Sequence, residues 1–274
     1  MWNGTRSLYC DGLATDDVVA HEFAHGVTQT TAGLIYQNQP GQLNESFSDI
    51  LGELVDLWNG DAIIPGAPGG VPAWPASATG GGLDTPNSAR TGCGDGSVRW
   101  KLGEDTSLGA IRDMWSPDCH NHPPSTTDPL YNNSCNPNSD NGGVHRGSGV
   151  PNHAFAMLVD GKTYGGVTVG SIGAIKAGAI WFRAVTLYMT PATFFADATP
   201  LLEQAAADLV GSDPNDPRTG LPSGSPITQG DADQVTLALD AVDFEELVCG
   251  MGPPPGNDAC VDALAFCPGT WAFD

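Results

Sequence analysis

Cations are scarce in this chain of 274 residues: 10 Lys and Arg stand against 32 Asp and Glu, for a formal net charge of −22. Binding to nucleic acid or to an anionic membrane surface needs clustered cations, so neither is expected. Long apolar runs are lacking as well. No stretch approaches the roughly 20 residues of a membrane-spanning helix, and Met1-Trp2-Asn3-Gly4 shows neither the basic segment nor the apolar core of a secretory leader. A third absence is the C-x-x-C pair. Although there are 7 cysteines, none is spaced as a structural zinc module of the cysteine type would require.

What the chain does contain is His21-Glu22-Phe23-Ala24-His25, followed by Asn44-Glu45-Ser46-Phe47-Ser48-Asp49. On a helix, residues four apart share a face, so His21 and His25 can aim both imidazoles at one point. Glu45, from a second helix, is the expected third ligand. Two His and one Glu leave a tetrahedral zinc with an open position, which is the catalytic pattern. Glu22 projects beside that point as the general base toward a metal-activated water. Asn44 and Asp49 are the expected partners of the ligand histidines, fixing their tautomers and ring angles.

The surrounding residues resemble the thermolysin-like neutral metalloproteases, which are secreted bacterial zinc endopeptidases. The resemblance runs from Asp17 through His25-Gly26-Val27-Thr28, Thr31-Ala32-Gly33-Leu34-Ile35-Tyr36-Gln37-Asn38 and Leu43-Asn44-Glu45. It resumes at Asp140-Asn141-Gly142-Gly143-Val144-His145 and at Tyr164-Gly165-Gly166-Val167, and reaches Tyr188-Met189-Thr190-Pro191. It implies a catalytic set of Glu22, Tyr36, His145 and Asp140, with His145 and Tyr36 donating to the oxyanion and Asp140 orienting His145. It implies that Arg112 grips a substrate carbonyl, and that Ile111 and Val18 line an apolar pocket for the residue after the scissile bond. The implied activity is zinc-dependent hydrolysis of peptide bonds before bulky hydrophobic residues, with one catalytic zinc.

The resemblance also implies calcium beside the zinc helix, through Asp17, Asp56 and Glu104. Two further acidic positions of the family correspond to Arg99 and Lys101 here. Cations cannot ligate calcium, so at most one calcium is expected, with Arg99 or Lys101 replacing the other by direct ion pairing. A second family calcium loop is shortened to Thr106-Ser107-Leu108-Gly109-Ala110.

The fold expected is mainly α, the C-terminal helical lobe of a two-lobe α+β zinc metalloprotease. Residues 1–14 read as a remnant of the β-rich N-terminal lobe, the rest of which is missing. Residues 15–246 read as the helical catalytic lobe, its site helices at 15–30 and 43–58. The first is expected to turn Val18, Val19, Phe23 and Val27 inward. Residues 59–99 read as a loop insertion, and 247–274 as a linker opening a further cysteine-containing module. Apolar stripes mark later helices: Ile172, Ile175, Ala179 and Phe182; Leu201, Leu202, Ala205 and Leu209; Val235, Ala238, Leu239 and Val242. Cysteines in polar loops suggest disulfides and a secreted, extracellular protein, with Cys119–Cys135, Cys10–Cys93 and Cys260–Cys267 as expected pairs. The partners expected of this monomer are peptide or protein substrates, and an N-terminal lobe or propeptide outside the chain. The alternative is an incomplete zinc-binding lobe with little activity by itself. An aminopeptidase reading would want a further acidic site for the substrate amine, and none is evident.

Overall fold

A computed structural model describes residues 1–61, 92–94, 96–132 and 139–244. Most of the expected 59–99 insertion, the expected module at 247–274, and Cys135, Cys249, Cys260 and Cys267 lie outside the described residues. The architecture is mainly α, as two antiparallel pairs of short strands accompany the helices. The helices are α1 (Asp16–Thr30), α2 (Asn38–Asp61), α3 (Pro129–Asn132), α4 (Asp140–Gly147), α5 (Gly149–Asp160), α6 (Ala174–Arg183), α7 (Phe195–Leu209) and α8 (Gln229–Ala241). The pairs are β1 (Lys101–Leu102) with β2 (Arg112–Asp113), and β3 (Lys162–Tyr164) with β4 (Val167–Val169). Within residues 1–14 the described β structure is a single bridge, Trp2 to Ser7.

α5 is the centre of the molecule: every residue from Gly149 to Val159 is buried. A helix with apolar groups on all sides is stable only when other elements cover it completely. Trp181 of α6 meets Phe155 edge-on, with ring centroids 5.3 Å apart, and Trp100 meets the same ring at 6.0 Å. Phe195 stacks on Phe244 at 4.4 Å, which seals the ends of α7 and α8 together.

α2 begins at Asn38, five residues earlier than expected. Pro40 falls in its first turn, where a missing N–H breaks no helical hydrogen bond, so the proline starts the helix instead of stopping it. The α6 stripe is also shifted. Ala177, Ile180 and Trp181 are buried, whereas Phe182 is half-exposed.

α1 meets the expectation for its faces only in part: Val27 packs against the core, but Val19 and Phe23 do not. Its buried residues are Asp17, His21, Ala24 and Thr28, while Val19 is 40 % and Phe23 69 % exposed. The polar face turns inward because α2 presents Asn44, Glu45, Ser48 and Asp49 to it, all buried.

Neither Cys10–Cys93 nor Cys119–Cys135 forms. Cys93 bonds Cys119, across 26 residues that carry β1 and β2, and Cys10 is disulfide-bonded as well. Closing a loop of that length removes denatured-state entropy equivalent to about 3.5 kcal/mol.

His153, deep in α5, shares hydrogen bonds with Pro124 O (Nδ1, 2.8 Å) and Lys162 Nζ (Nε2, 2.8 Å). Burial and the Lys162 charge push its pKa down to about 3. The folded ring therefore stays neutral where the unfolded ring, titrating near 6.5, takes up a proton. Stability from this group is complete above about pH 6.5 and falls with acidification toward pH 3, by about 1.4 kcal/mol per pH unit. Between pH 6 and 4, urea unfolding of the unaltered chain is expected to lose stability more steeply than that of His153→Gln by that amount. Parallel slopes would show that His153 is not the group responsible.

Candidate active site

α1 and α2 pack side by side and bring the two sequence motifs together. His21 Nε2 and His25 Nε2 lie 3.0 Å apart, with Glu45 Oε2 3.6 Å from the first and Glu45 Oε1 3.3 Å from the second. Each imidazole is held from behind. His21 Nδ1 faces Asp49 Oδ1 at 2.8 Å, and His25 Nδ1 faces Asn44 Oδ1 at 2.8 Å and Ser48 Oγ at 3.1 Å. A proton on Nδ1, next to these oxygens, leaves the Nε2 lone pair free, and in that tautomer both lone pairs point at the same spot. Ligand atoms about 2.0–2.1 Å from one tetrahedral ion sit roughly 3.3 Å from each other, close to the spacing of this trio. Glu45 Oε2 is buried with no hydrogen-bond partner. A buried carboxylate oxygen left in that state is costly unless a cation meets it. The donor set fits zinc.

Charge balance supports the same arrangement. Burial raises the Glu45 pKa, but the three histidines around it outweigh burial and hold it well below the usual range. Asp49, where burial is again opposed, is lowered by Arg112 and His21. Arg112 is buried on β2, with its Nη2 2.7 Å from Asp49 Oδ1 and 3.8 Å from Glu45 Oε2. Asn152 Nδ2 donates to the other Asp49 oxygen at 2.8 Å. Asp49 thus joins His21, Arg112 and Asn152, the last from the central helix.

His145 arrives from a turn whose composition dictates its shape. Asp140, Asn141, Gly142 and Gly143 all have positive φ, at 50°, 49°, 83° and 76°. A left-handed residue costs roughly 1–2 kcal/mol, except for Gly and to a lesser degree Asn or Asp. Four such residues in a row make Asp-Asn-Gly-Gly one of the few tolerable sequences. The turn folds Asp140 back onto His145: Asp140 Oδ1 bonds the ring Nδ1, and Oδ2 accepts from the His145 backbone N–H at 3.0 Å. Burial opposes charge on this imidazole, but Glu45 and Asp140 hold its pKa up at about 9. The ring is 37 % exposed. Its Nε2 lies 3.1 Å from the Tyr36 hydroxyl, which donates in turn to Glu45 Oε1.

Glu22 is half-buried, and its Oε1 pairs with the Met1 ammonium at 2.7 Å. Val18 and Ile111 are both half-buried.

The residues expected to hold calcium are grouped differently. Carboxylate oxygens of Asp17, Glu53 and Glu104 lie within 4.8 Å of one another, and Asp56 is not in that trio. Glu53 is an addition to which no sequence motif points. It is 1 % exposed, and both of its oxygens are buried without a hydrogen-bond partner, as is Glu104 Oε2. Arg99 does not join this group as expected. Its Nε and Nη2 each bond Asp160 at 2.7 Å, and Trp100 Nε1 donates to the same carboxylate at 2.6 Å. With φ of 69° at Trp100, the chain is turned so that Arg99 faces α5. Among the described residues no salt bridge joins Lys101 to Asp17, Asp56 or Glu104.

The profile of the thermolysin metallopeptidase α-helical domain matches residues 32–67 and 84–218. The chain is 35 % identical over 202 residues to a zinc metalloproteinase of Renibacterium salmoninarum, covering 70 % of this chain and 30 % of that protein. It is 36 % identical over 224 residues to bacillolysin of Bacillus cereus, covering 77 % of this chain and 32 % of the relative. Thermolysin of Alicyclobacillus acidocaldarius matches at the same identity and length, with 34 % of that protein covered. The chain therefore spans about a third of the length of these relatives. Among solved structures, the precursor of protealysin, a metalloproteinase from Serratia proteamaculans, aligns over 83 % of this chain and 57 % of its own. Its TM-score is 0.52 and its sequence identity 25 %.

Proposed function

Since the chain belongs to the thermolysin metallopeptidase family, whose α-helical domain it carries, we propose that it is a zinc endopeptidase cleaving before bulky hydrophobic residues. The observation that carries this reading is the convergence of the His21 and His25 Nε2 atoms with the Glu45 carboxylate, whose Oε2 has no hydrogen-bond partner. These three residues would hold the zinc, which when bound lowers the pKa of water to about 7 and polarises the substrate carbonyl.

Glu22 takes the proton of the attacking water and passes it to the leaving nitrogen. His145, kept charged by Glu45 and Asp140, donates to the developing oxyanion together with Tyr36; the two groups already lie 3.1 Å apart on one side of Glu45. Such donors are effective because their bonds strengthen as charge develops on the substrate oxygen. Arg112, anchored on Asp49, grips the substrate carbonyl beyond the scissile bond, and Val18 and Ile111 line the pocket for the following side chain. A single calcium would sit among Asp17, Glu53 and Glu104. The Cys93–Cys119 bridge favours an oxidising compartment and hence secretion. The charge of −22 favours a monomer without nucleic-acid or membrane partners.

The second reading is an incomplete lobe with little activity. It is favoured by the exposed Val19 and Phe23 on α1, a face that an upstream β-rich lobe or propeptide would cover. Incubation of the zinc-loaded chain with a mixed peptide library, followed by mass spectrometry of the products, separates the two. Cleavage on the amino side of Leu, Ile and Phe is expected. Cleavage without that preference overturns the substrate assignment. Silence from this chain, with cleavage by a longer product carrying the upstream lobe, establishes the second reading.

A further inference from the structure

Three side chains with no part in the chemistry above form a buried polar chain that ends on the turn carrying His145. Gln39, Gln42 and Tyr131 are all fully buried. The backbone N–H of Phe195 donates to Gln39 Oε1 at 3.0 Å, and Gln39 Nε2 donates to the Tyr131 hydroxyl at 3.0 Å. The hydroxyl donates to Gln42 Oε1 at 3.0 Å, and Gln42 Nε2 donates to Gly142 O at 3.3 Å.

The direction of this chain is forced from one end. A backbone N–H can only donate, so Gln39 must present its oxygen to Phe195 and its amide nitrogen to Tyr131. The hydroxyl, its oxygen already accepting, sends its proton to Gln42 Oε1. The Gln42 NH2 is thereby turned onto the Gly142 carbonyl, and a buried chain with every bond made favours one arrangement over its alternatives.

Gln42 also fills the space behind the turn. A Cβ placed on Gly147 would lie 2.1 Å from Gln42 Cδ, and one on Gly142 would lie 2.0 Å from Asn38 Oδ1. The left-handed stretch from Asp140 to Gly143 is thus held at Gly142, three residues before His145, by a group whose own orientation is set at the start of α7.

We propose that Gln42, oriented by Tyr131 and Gln39, is a positioning residue that fixes the reach of His145 toward the substrate oxyanion. This rests on the role given to His145 above.

The test uses Gln42→Met, which keeps length without hydrogen bonds, and Tyr131→Phe, which removes only the hydroxyl. Both are made in the zinc-loaded chain, with and without His145→Phe. Measured quantities are kcat and KM, the Kd of a peptide bearing tetrahedral phosphorus at the scissile position, and amide hydrogen exchange at Gly142, Gly143 and His145. Displacement of a catalytic group by about 1 Å costs on the order of 100-fold. Gln42→Met is accordingly expected to lower kcat and weaken the phosphorus peptide by about 10- to 100-fold, with KM nearly unchanged. Tyr131→Phe should act in the same direction and less strongly. Exchange at the three amides should quicken while that of α1 does not, and neither variant should add to the loss in the His145→Phe background.

An equal loss in both backgrounds, or unchanged exchange at the turn, overturns the proposal. Full kcat and undiminished phosphorus-peptide binding in His145→Phe would instead fail the reading of His145 itself. That failure is distinguishable, because Gln42→Met would then still loosen the turn.

Discussion

Glu22→Gln is expected to lower peptide cleavage by about 10²- to 10⁴-fold, the usual contribution of a positioned general base, while zinc stays bound. Glu22 lies on α1 one residue from His21, yet it is outside the convergent trio of His21, His25 and Glu45. Its carboxylate contributes no atom to that trio and is not needed to hold the ion. The amide that this substitution introduces keeps the size of the side chain and loses its basicity, so substrate binding should change little and kcat should carry the loss. His21→Ala is the contrasting case. It removes a ligand nitrogen and frees Asp49 from one partner, and even the outer partners of metal ligands are worth about 10- to 100-fold in affinity. Zinc content after dialysis, measured beside kcat, separates the two substitutions. Loss of zinc from Glu22→Gln to the same extent as from His21→Ala would make Glu22 a ligand. Retained turnover would remove it from the proton-transfer role.

The difference between what can be read in the chain and what cannot follows the range of the interactions. His21, His25, Asn44, Glu45 and Asp49 are spaced by helical turns on two neighbouring helices, so their convergence follows from local geometry. The Asp140-to-His145 contact is similarly local, since Asp-Asn-Gly-Gly can adopt the left-handed turn that closes it. Asn152, Glu53, Gln39, Gln42 and Tyr131 are out of reach for the opposite reason. Each is a common residue whose role depends on a partner far along the chain, as in the 103-residue separation of Asn152 from Asp49. A glutamate between Gly52 and Leu54 reads as an ordinary helix residue, and only tertiary packing shows both of its oxygens buried and unpartnered. The inward face of α1 departs from its apolar pattern because apolarity is a guide to burial only when the opposing surface is apolar. Here α2 offers ligand-bearing polar groups, and Val19 and Phe23 are left outside. Arg99 leaves the acidic group because Asp160, at the end of α5, offers a bidentate partner that no local pattern announces.

Chelation of calcium is expected to lower the melting temperature by about 5–16 °C, with a loss that grows as pH rises. A cation present at 100 to 1,000 times its Kd stabilises by about 2.7–4.1 kcal/mol, and each kcal/mol moves Tm by about 2–4 °C in a domain of this size. Without the cation, Asp17, Glu53 and Glu104 face one another with Asp56 nearby. Burial and mutual repulsion raise Glu53 well above its usual range, Glu104 to about 9 and Asp56 to about 7. These carboxyls ionise near 4 when the chain is unfolded, so the folded state binds more protons than the unfolded state from about pH 4 to 9. Stability of the chelated protein is therefore greatest at the acidic end of that window and falls as pH rises through 7 and 9. A bound cation offsets the repulsion and should flatten this dependence. Glu53→Gln keeps the shape and removes one charge: it should melt above the unaltered chain in chelator at pH 8 and lose most of its response to added calcium. A calcium response in Glu53→Gln equal to that of the unaltered chain would place the ion elsewhere. A melting temperature of the unaltered chain that ignores chelator yet still falls as pH rises would mean that protons, and not a cation, relieve the charge on this trio.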